Sequence, residues 1–252
     1  MGRKGESGHL KRKPAPKLWP IHRKEAVWTV MSKPGPHSLS GSLPLALVVR
    51  DIFGFAKTGK EAKKIISNGN IMVDGKVRRD ERFLVGMMDV ISIAETKKSY
   101  RVLPSPKGLL LHPINAEEAT FKLFRIEDKT IVKSGRTDLN LHDGTSLLID
   151  EGSTLGIGKH EYHTLDVLKI SIPGREFLGY TKLVVGAPAI VIGGKNMGTY
   201  GIISTIEKQA DKKRRDLLVT LKDIKGQQFQ TILDFVFVLG EVESSVSLPE
   251  AN

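Results

Sequence analysis

The chain contains no cysteine. That excludes disulfide scaffolds and thiolate zinc sites, and it makes a reducing compartment the natural home. An apolar signal core is also missing near the start. The longest nearly apolar stretch, Leu183 to Gly194, is too short and too rich in Gly and Pro to span a bilayer. Acidic residues are scarce early in the chain: residues 1–40 hold 9 Lys/Arg against 2 Asp/Glu, and residues 41–104 hold 12 against 7. Beyond that point the signs balance, with 10 against 11 over 105–185 and 8 against 8 over 186–252. The first 104 residues therefore carry +12, and the remainder −1, of the net charge of +11. A polyanion is expected to meet that part of the protein, and nucleic acid outweighs a merely solvated basic face because the excess persists so far.

What is present fits a folded protein of several modules. Over 252 residues, 40% are apolar and 27% charged, which suits a globular chain. Residues 1–41 read as a basic extension in which Lys and Arg alternate with Gly and Pro, so no long helix forms. Trp19 and Trp28 within it either stack on RNA or dock on the protein's own core. Residues 42–101 read as a compact unit of two helices and a short sheet. The first helix is expected over Pro44–Phe53, burying Leu45, Val48, Val49, Ile52 and Phe53. The second is expected over Thr58–Asn68, with Thr58 as N-cap and Gly69 as its stop. On that helix Ala62, Ile65 and Ile66 form the buried stripe, leaving Lys60, Lys63, Lys64 and Ser67 on the opposite face as a cationic ridge about 10 Å long. Asp74-Gly75 is a strong two-residue hairpin signal between Ile71–Val73 and Val77–Arg79.

From Tyr100 onward, short apolar segments recur every eight to twelve residues. Among them are 121–126, 130–133, 167–172 and 183–185. Such spacing favours a barrel-like unit over 102–178, a second over 179–241, and a flexible tail over 242–252. The fold class is α+β.

Motifs that suggest catalysis fail on inspection. Gly54 to Glu61 nearly spells a phosphate loop, but Glu61 stands where Ser or Thr would hold magnesium, and a helix rather than a strand precedes it. His160 and His163 are three apart rather than four and lack a third ligand. Gly156-Ile157-Gly158 lacks the third glycine of a dinucleotide fingerprint. His142-Asp143 is more simply a strand end and a turn with Gly144. The stretch Gly193 to Gly201 differs from these, with four glycines in nine residues between two apolar strands. It reads either as a loop pressing its N–H groups on a phosphate, helped by Lys195 and Asn196, or as a tight turn without a ligand.

Taken in order, these residues resemble the ribosomal protein S-four-e family of the archaeal and eukaryotic small subunit. The resemblance rests on Gly8 to Arg12, Ala15-Pro16, Trp19, Gly35-Pro36-His37 and Pro44-Leu45, followed by Leu139 to Gly144. Residues 44–93 resemble the alpha-L RNA-binding module at Arg50, Ala62, Ile65, Gly69, Val73 and Asp74 to Arg78. The glycine-rich segment resembles a KOW motif in an SH3-like barrel, and Phe229–Thr231 and Phe237–Gly240 fit the family's closing pattern. Leu84 and Thr145 depart from it, and Thr145 weakens an RNA contact by the central unit.

The resemblance implies a structural constituent of the small ribosomal subunit, cytoplasmic and ribosome-bound, that clamps small-subunit rRNA beside neighbouring ribosomal proteins. It implies no enzyme activity, cofactor, metal, small-molecule substrate, membrane or homo-oligomer. Expected RNA contacts in the extension are Arg3, Lys4, His9, Lys11, Arg12, Lys13, Trp19, Arg23 and Lys24. In the module they are Arg50, Lys57, Thr58, Lys60, Lys63, Lys64 and Asn68, with Lys76, Arg78 and Arg79 on the hairpin. Lys195 and Asn196 complete the set. An rRNA-modifying enzyme that anchors through the alpha-L module and an exchanging KOW-type factor are the competing readings.

Overall fold

The computed structural model describes residues 8–132, 136–149, 162–207, 213–223 and 226–249. Its fold is three antiparallel five-stranded sheets with few helices and two small two-stranded pairs.

Leu10–Lys11 (β1) and Trp28–Thr29 (β2) form an antiparallel pair. The segment containing them is folded onto the next unit rather than extended. Ala15 and Trp19 enter the same core as the helices, and the Leu109 N–H donates to the Leu18 carbonyl at 3.2 Å. Ser42–Pro44 (β3) runs into one α-helical turn, Leu45–Leu47 (α1), which widens into π-helix over Val48–Ile52. The expected helix over 44–53 is therefore shorter at its start and wider at its end. Pro44 is extended and acts as N-cap, and the Phe53 N–H reaches back five residues to the Val48 carbonyl at 2.9 Å. Gly59–Ser67 (α2) buries Ala62 and Ile66 against this turn, with Ile65 half-buried.

Ile71–Val73 (β4), Lys76–Val77 (β5), Val90–Ile93 (β7), Lys98–Ser105 (β8) and Gly108–Ile114 (β9) make the first sheet, in the order β5-β4-β7-β8-β9; Leu84–Gly86 (β6) pairs separately with β3. Asp74 and Gly75 both take positive φ (50° and 71°), the left-handed pair that a two-residue hairpin of matching twist requires. β8 continues past residue 101, so this sheet runs on through the β8–β9 hairpin, across the boundary expected between the first two units.

The second sheet has the order β12-β11-β10-β13-β14, from Phe121–Ile131 (β10), Thr137–Leu141 (β11), Ser146–Ile149 (β12), Val167–Ser171 (β13) and Phe177–Thr181 (β14). The segments expected at 121–126 and 130–133 are parts of one strand, as far as residue 131. β10 is buried on both faces along its first half. Phe121 and Leu123 face the C-terminal core, while Phe124 and Ile126 face the central one, as the two-residue period of a strand dictates.

The third sheet has the order β18-β17-β16-β15-β19, from Pro188–Val191 (β15), Tyr200–Ile206 (β16), Leu218–Asp223 (β17), Gln228–Ile232 (β18) and Val236–Val238 (β19). Leu183–Val185, expected as a strand, instead leads into a turn with Val184 and Val185 exposed. The tail is not free through residue 249. Val246 is buried in the C-terminal core, and Ser247 Oγ donates to Glu118 at 2.7 Å.

Candidate nucleic-acid interface

The cationic ridge follows from how α2 begins and ends. Thr58 Oγ1 accepts the Glu61 N–H at 3.3 Å, and the Glu61 carboxylate accepts the N–H groups of Lys57 (2.9 Å) and Thr58 (3.3 Å). This reciprocal cap satisfies donors that the first helical turn leaves open. The same backbone bonds lower the Glu61 carboxyl from its usual value. The helix's one acid is thereby committed at the N-terminus. Lys57, Lys60, Lys63 and Lys64 remain exposed, with Lys63 3.4 Å from Glu81. Asn68 is the exposed C-cap, and Gly69 at φ 85° turns the chain where a Cβ would meet Val77 at 3.2 Å and Arg79 at 3.5 Å.

That turn brings the hairpin to the end of the ridge. Arg79 is exposed beside Gly69, and Lys76 is exposed next to the hairpin turn. Arg78 is half-buried, with its guanidinium 4.3 Å from the Phe83 ring centroid and its Nε buried without a hydrogen-bond partner among the described residues. At the other end, Arg50 lies near Gly59 but is committed to Asp51, at 2.7 and 3.0 Å. The structure thus gathers Lys57, Lys60, Lys63, Lys64 and Arg79 along one element and its exit.

The N-terminal segment requires corrections. Trp19 is 2% exposed and its indole N–H donates to the Ser42 carbonyl at 2.7 Å, so it is a core residue with no face left for a base. Arg12 is buried. It donates to the carbonyls of His22 (2.9 Å) and Trp28 (3.3 Å) and pairs with Glu25 and Asp51. Arg23 donates to the carbonyls of Arg12, Lys13, Ala15 and Pro16. These two guanidiniums hold the segment together instead of reaching for phosphate. His9, Lys11, Lys13 and Lys24 are exposed, while Arg3 and Lys4 lie outside the described residues.

The glycines of the 193–201 loop also have a structural explanation. A Cβ on Gly193 would stand 2.9 Å from the Phe235 ring, on Gly198 2.6 Å from the Ser105 backbone, and on Gly201 2.4 Å from the Lys222 carbonyl. They permit close packing within the protein. Lys195 is exposed, but Asn196 Nδ2 donates to the Gln230 carbonyl at 3.3 Å.

A buried charge cluster, missed from the sequence, joins the hairpin to the central sheet. Lys122 is 1% exposed, and its ammonium lies 2.5 Å from Asp89, 2.8 Å from Asp74 and 3.5 Å from Asp143. Burial pulls the ammonium down, but the three carboxylates outweigh it and hold it above its usual range. Burial likewise opposes ionisation of Asp89, yet Lys122 and His37 carry its carboxyl well below the usual range. Asp74 is raised, by burial and by Asp89. His142 is pushed down to about 3, by burial and then by Lys122. Its Nδ1 accepts the Arg125 N–H at 3.1 Å and its Nε2 faces the Met87 carbonyl at 3.2 Å, the pattern of a neutral ring. The His142-Asp143 pair is thus part of a structural lock. His160 lies outside the described residues, and no cluster of three His, Asp or Glu suited to a metal occurs among those described.

Comparison with known proteins gives a consistent set of likenesses. The pattern described as Ribosomal family S4e matches residues 96–177, the RS4NT domain residues 4–40, and the S4 domain residues 51–91. The chain is 50% identical over 251 residues to the small ribosomal subunit protein eS4 of Desulfurococcus amylolyticus, covering 99% of each chain. It is 47% identical to the protein of that name from Aeropyrum pernix, covering 99% of this chain and 98% of the other. The crystal structure of the 30S ribosomal protein S4e from Thermoplasma acidophilum is similar at a TM-score of 0.63 and 31% identity, over 80% of this chain and 96% of that one.

Proposed function

Because the chain belongs to the ribosomal S4e family, we propose that it is a structural constituent of the small ribosomal subunit that binds and stabilises small-subunit rRNA. The observation that carries this reading is the row of exposed lysines on α2, continued by Arg79, on a helix whose own acid is spent on its cap. Phosphate contacts of this kind position a protein without reading sequence, so recognition rests on RNA shape. Lys11, Lys13, Lys24, Lys76 and Lys195 extend the contact, with neighbouring subunit proteins as further partners. In this reading residues 42–101 act as an alpha-L module, and residues 179–241, whose strand order is β18-β17-β16-β15-β19, act as an SH3-like KOW barrel. The protein works ribosome-bound in the cytoplasm, without homo-oligomerisation and without catalysing a reaction.

The test is the salt dependence of binding to a small-subunit rRNA transcript. Each neutralised phosphate contributes about −0.9 to the slope of log K against log salt for a duplex and about −0.7 for a single strand. Reversing Lys60, Lys63 and Lys64 to Glu should remove about 2–3 units of that slope. Reversing the exposed Lys107, Lys129 and Lys222, from the charge-balanced part of the chain, should leave it nearly unchanged. A wild-type slope near zero, or equal effects of the two triple variants, would overturn the proposal.

A further inference from the structure

The chain's two tryptophans part company in the fold. Trp19 disappears into the core, whereas Trp28, only nine residues on, stays 55% exposed. An indole carries a large apolar surface, and burying it is ordinarily favourable. Trp28 is not exposed through looseness. Its carbonyl accepts from Arg12 Nε at 3.3 Å, the preceding Val27 carbonyl accepts the Arg12 N–H at 2.9 Å, and Arg12 itself is buried and paired with Asp51 of the helical unit. Lys11 and Trp28 face each other as partners in the β1–β2 ladder. The ring is thus held outward by a fixed backbone.

Its neighbours fit one kind of ligand. Lys11 Nζ lies 5.8 Å from the indole centroid and the His9 ring 5.7 Å away, tilted by 57°. Beside them runs an open groove of about 440 Å³ whose lining includes Lys11, Lys13, Lys24 and Val27. Its one carboxylate, Glu25, pairs with Arg12 at 3.5 Å. Among the described residues no carboxylate lies within ion-pair distance of Lys11, Lys13 or Lys24. An acidic or apolar protein surface would use the ring or the charges, but an unpaired nucleotide uses both. Its base has a π-face for the indole, and its flanking phosphates meet the ammonium groups.

We propose that Trp28 is a stacking platform for an unpaired RNA base, with Lys11, Lys13 and Lys24 holding the phosphates on either side. This site rests on the RNA-binding reading above and adds to it a non-ionic contact apart from the ridge on α2. Because stacking involves no counterion release, its loss has a signature different from that of a lysine. Trp28→Ala should weaken binding of the full chain to the small-subunit rRNA transcript about tenfold, equivalent to about 1.4 kcal/mol, while the slope of log K against log salt stays at the wild-type value. Trp28→Phe should recover most of the loss, and iodide quenching of the wild-type protein's exposed tryptophan should vanish when the transcript is bound.

Wild-type affinity in the Trp28→Ala protein overturns the inference. So does unchanged rRNA affinity combined with poorer incorporation into subunits, which assigns the ring to a protein neighbour. If the Ala variant fails to fold, the Phe variant and the quenching decide: iodide quenching that persists in the complex overturns the stack. The Lys60, Lys63 and Lys64 reversal run alongside separates the two readings. A loss there with none at Trp28 removes only the platform, whereas no binding by the wild type removes the RNA function itself.

Discussion

Replacing Lys122 by Met tests whether the buried cluster is a lock or an incidental arrangement. The ammonium faces three carboxylates, at 2.5, 2.8 and 3.5 Å from Asp89, Asp74 and Asp143. Each acid also has a second anchor: Gly86 and His37 on Asp89, Val90 on Asp74, and Thr145 on Asp143. They cannot swing out to water without breaking those bonds. Removing one partner of a buried ion pair costs about 3–5 kcal/mol, because the remaining charge is left uncompensated. For a chain of this size that corresponds to a fall in Tm of about 6–20 °C.

The pH dependence of the loss is the sharper readout. In the wild type, the depressed Asp89 carboxyl contributes stability that is present above its unfolded value, near 4, and disappears as pH falls through the folded one. Without Lys122, burial and mutual repulsion raise the three carboxyls in the folded state. They then penalise folding at neutral pH, and protonation relieves the penalty as pH falls. The gap between wild type and variant should therefore be widest at pH 7 and narrow clearly by pH 4, measured as urea unfolding free energies. The slope of rRNA binding against salt should not change, since this lysine never meets a phosphate. A loss below about 1 kcal/mol at pH 7, or the same loss at both pH values, would refute the reasoning.

Thr58→Ala removes the oxygen that accepts the Glu61 N–H. It should cost about 1 kcal/mol in urea unfolding and weaken rRNA binding by fraying the first turn of the ridge, with Thr58→Ser restoring both. His142 is neutral in the fold, with its pKa pushed down to about 3, so the unfolded chain takes up the proton first, near pH 6.5. Stability should fall by about 1.4 kcal/mol per pH unit from pH 6.5 downward on this account, and His142→Gln should flatten that part of the profile while leaving the carboxylate limb below pH 4.

Local signals make α2 legible in the sequence. Thr58 and Gly69 mark the two ends of the helix by residue type, and Asp74 and Gly75 are adjacent at the hairpin, so local sequence reveals their roles, whereas the return bonds from Glu61 to the cap appear only in the fold. The first helix is less legible because nothing in Leu45–Ile52 announces a π-helical step. Lys122 is harder still: its acids come from positions 74, 89 and 143, brought together only by the fold. A hint exists in the run Phe121 to Ile126, apolar on both strand faces. A strand covered on both sides must pair any charge it carries.

The same limit explains the corrections in the N-terminal segment. An arginine bound for phosphate and one bound for backbone carbonyls look identical in sequence, and only folding supplies Arg23 with its four carbonyls. The division that results is chemically ordered. Arg12, Arg23, Arg101 and Arg125 turn inward, where several donors on a rigid fork can satisfy several acceptors at once. Among the described residues up to position 104, the charge left facing outward is mainly lysine, a hydrated point charge without bidentate geometry. Such a surface suits phosphate clamping that depends strongly on salt and follows RNA shape rather than base identity.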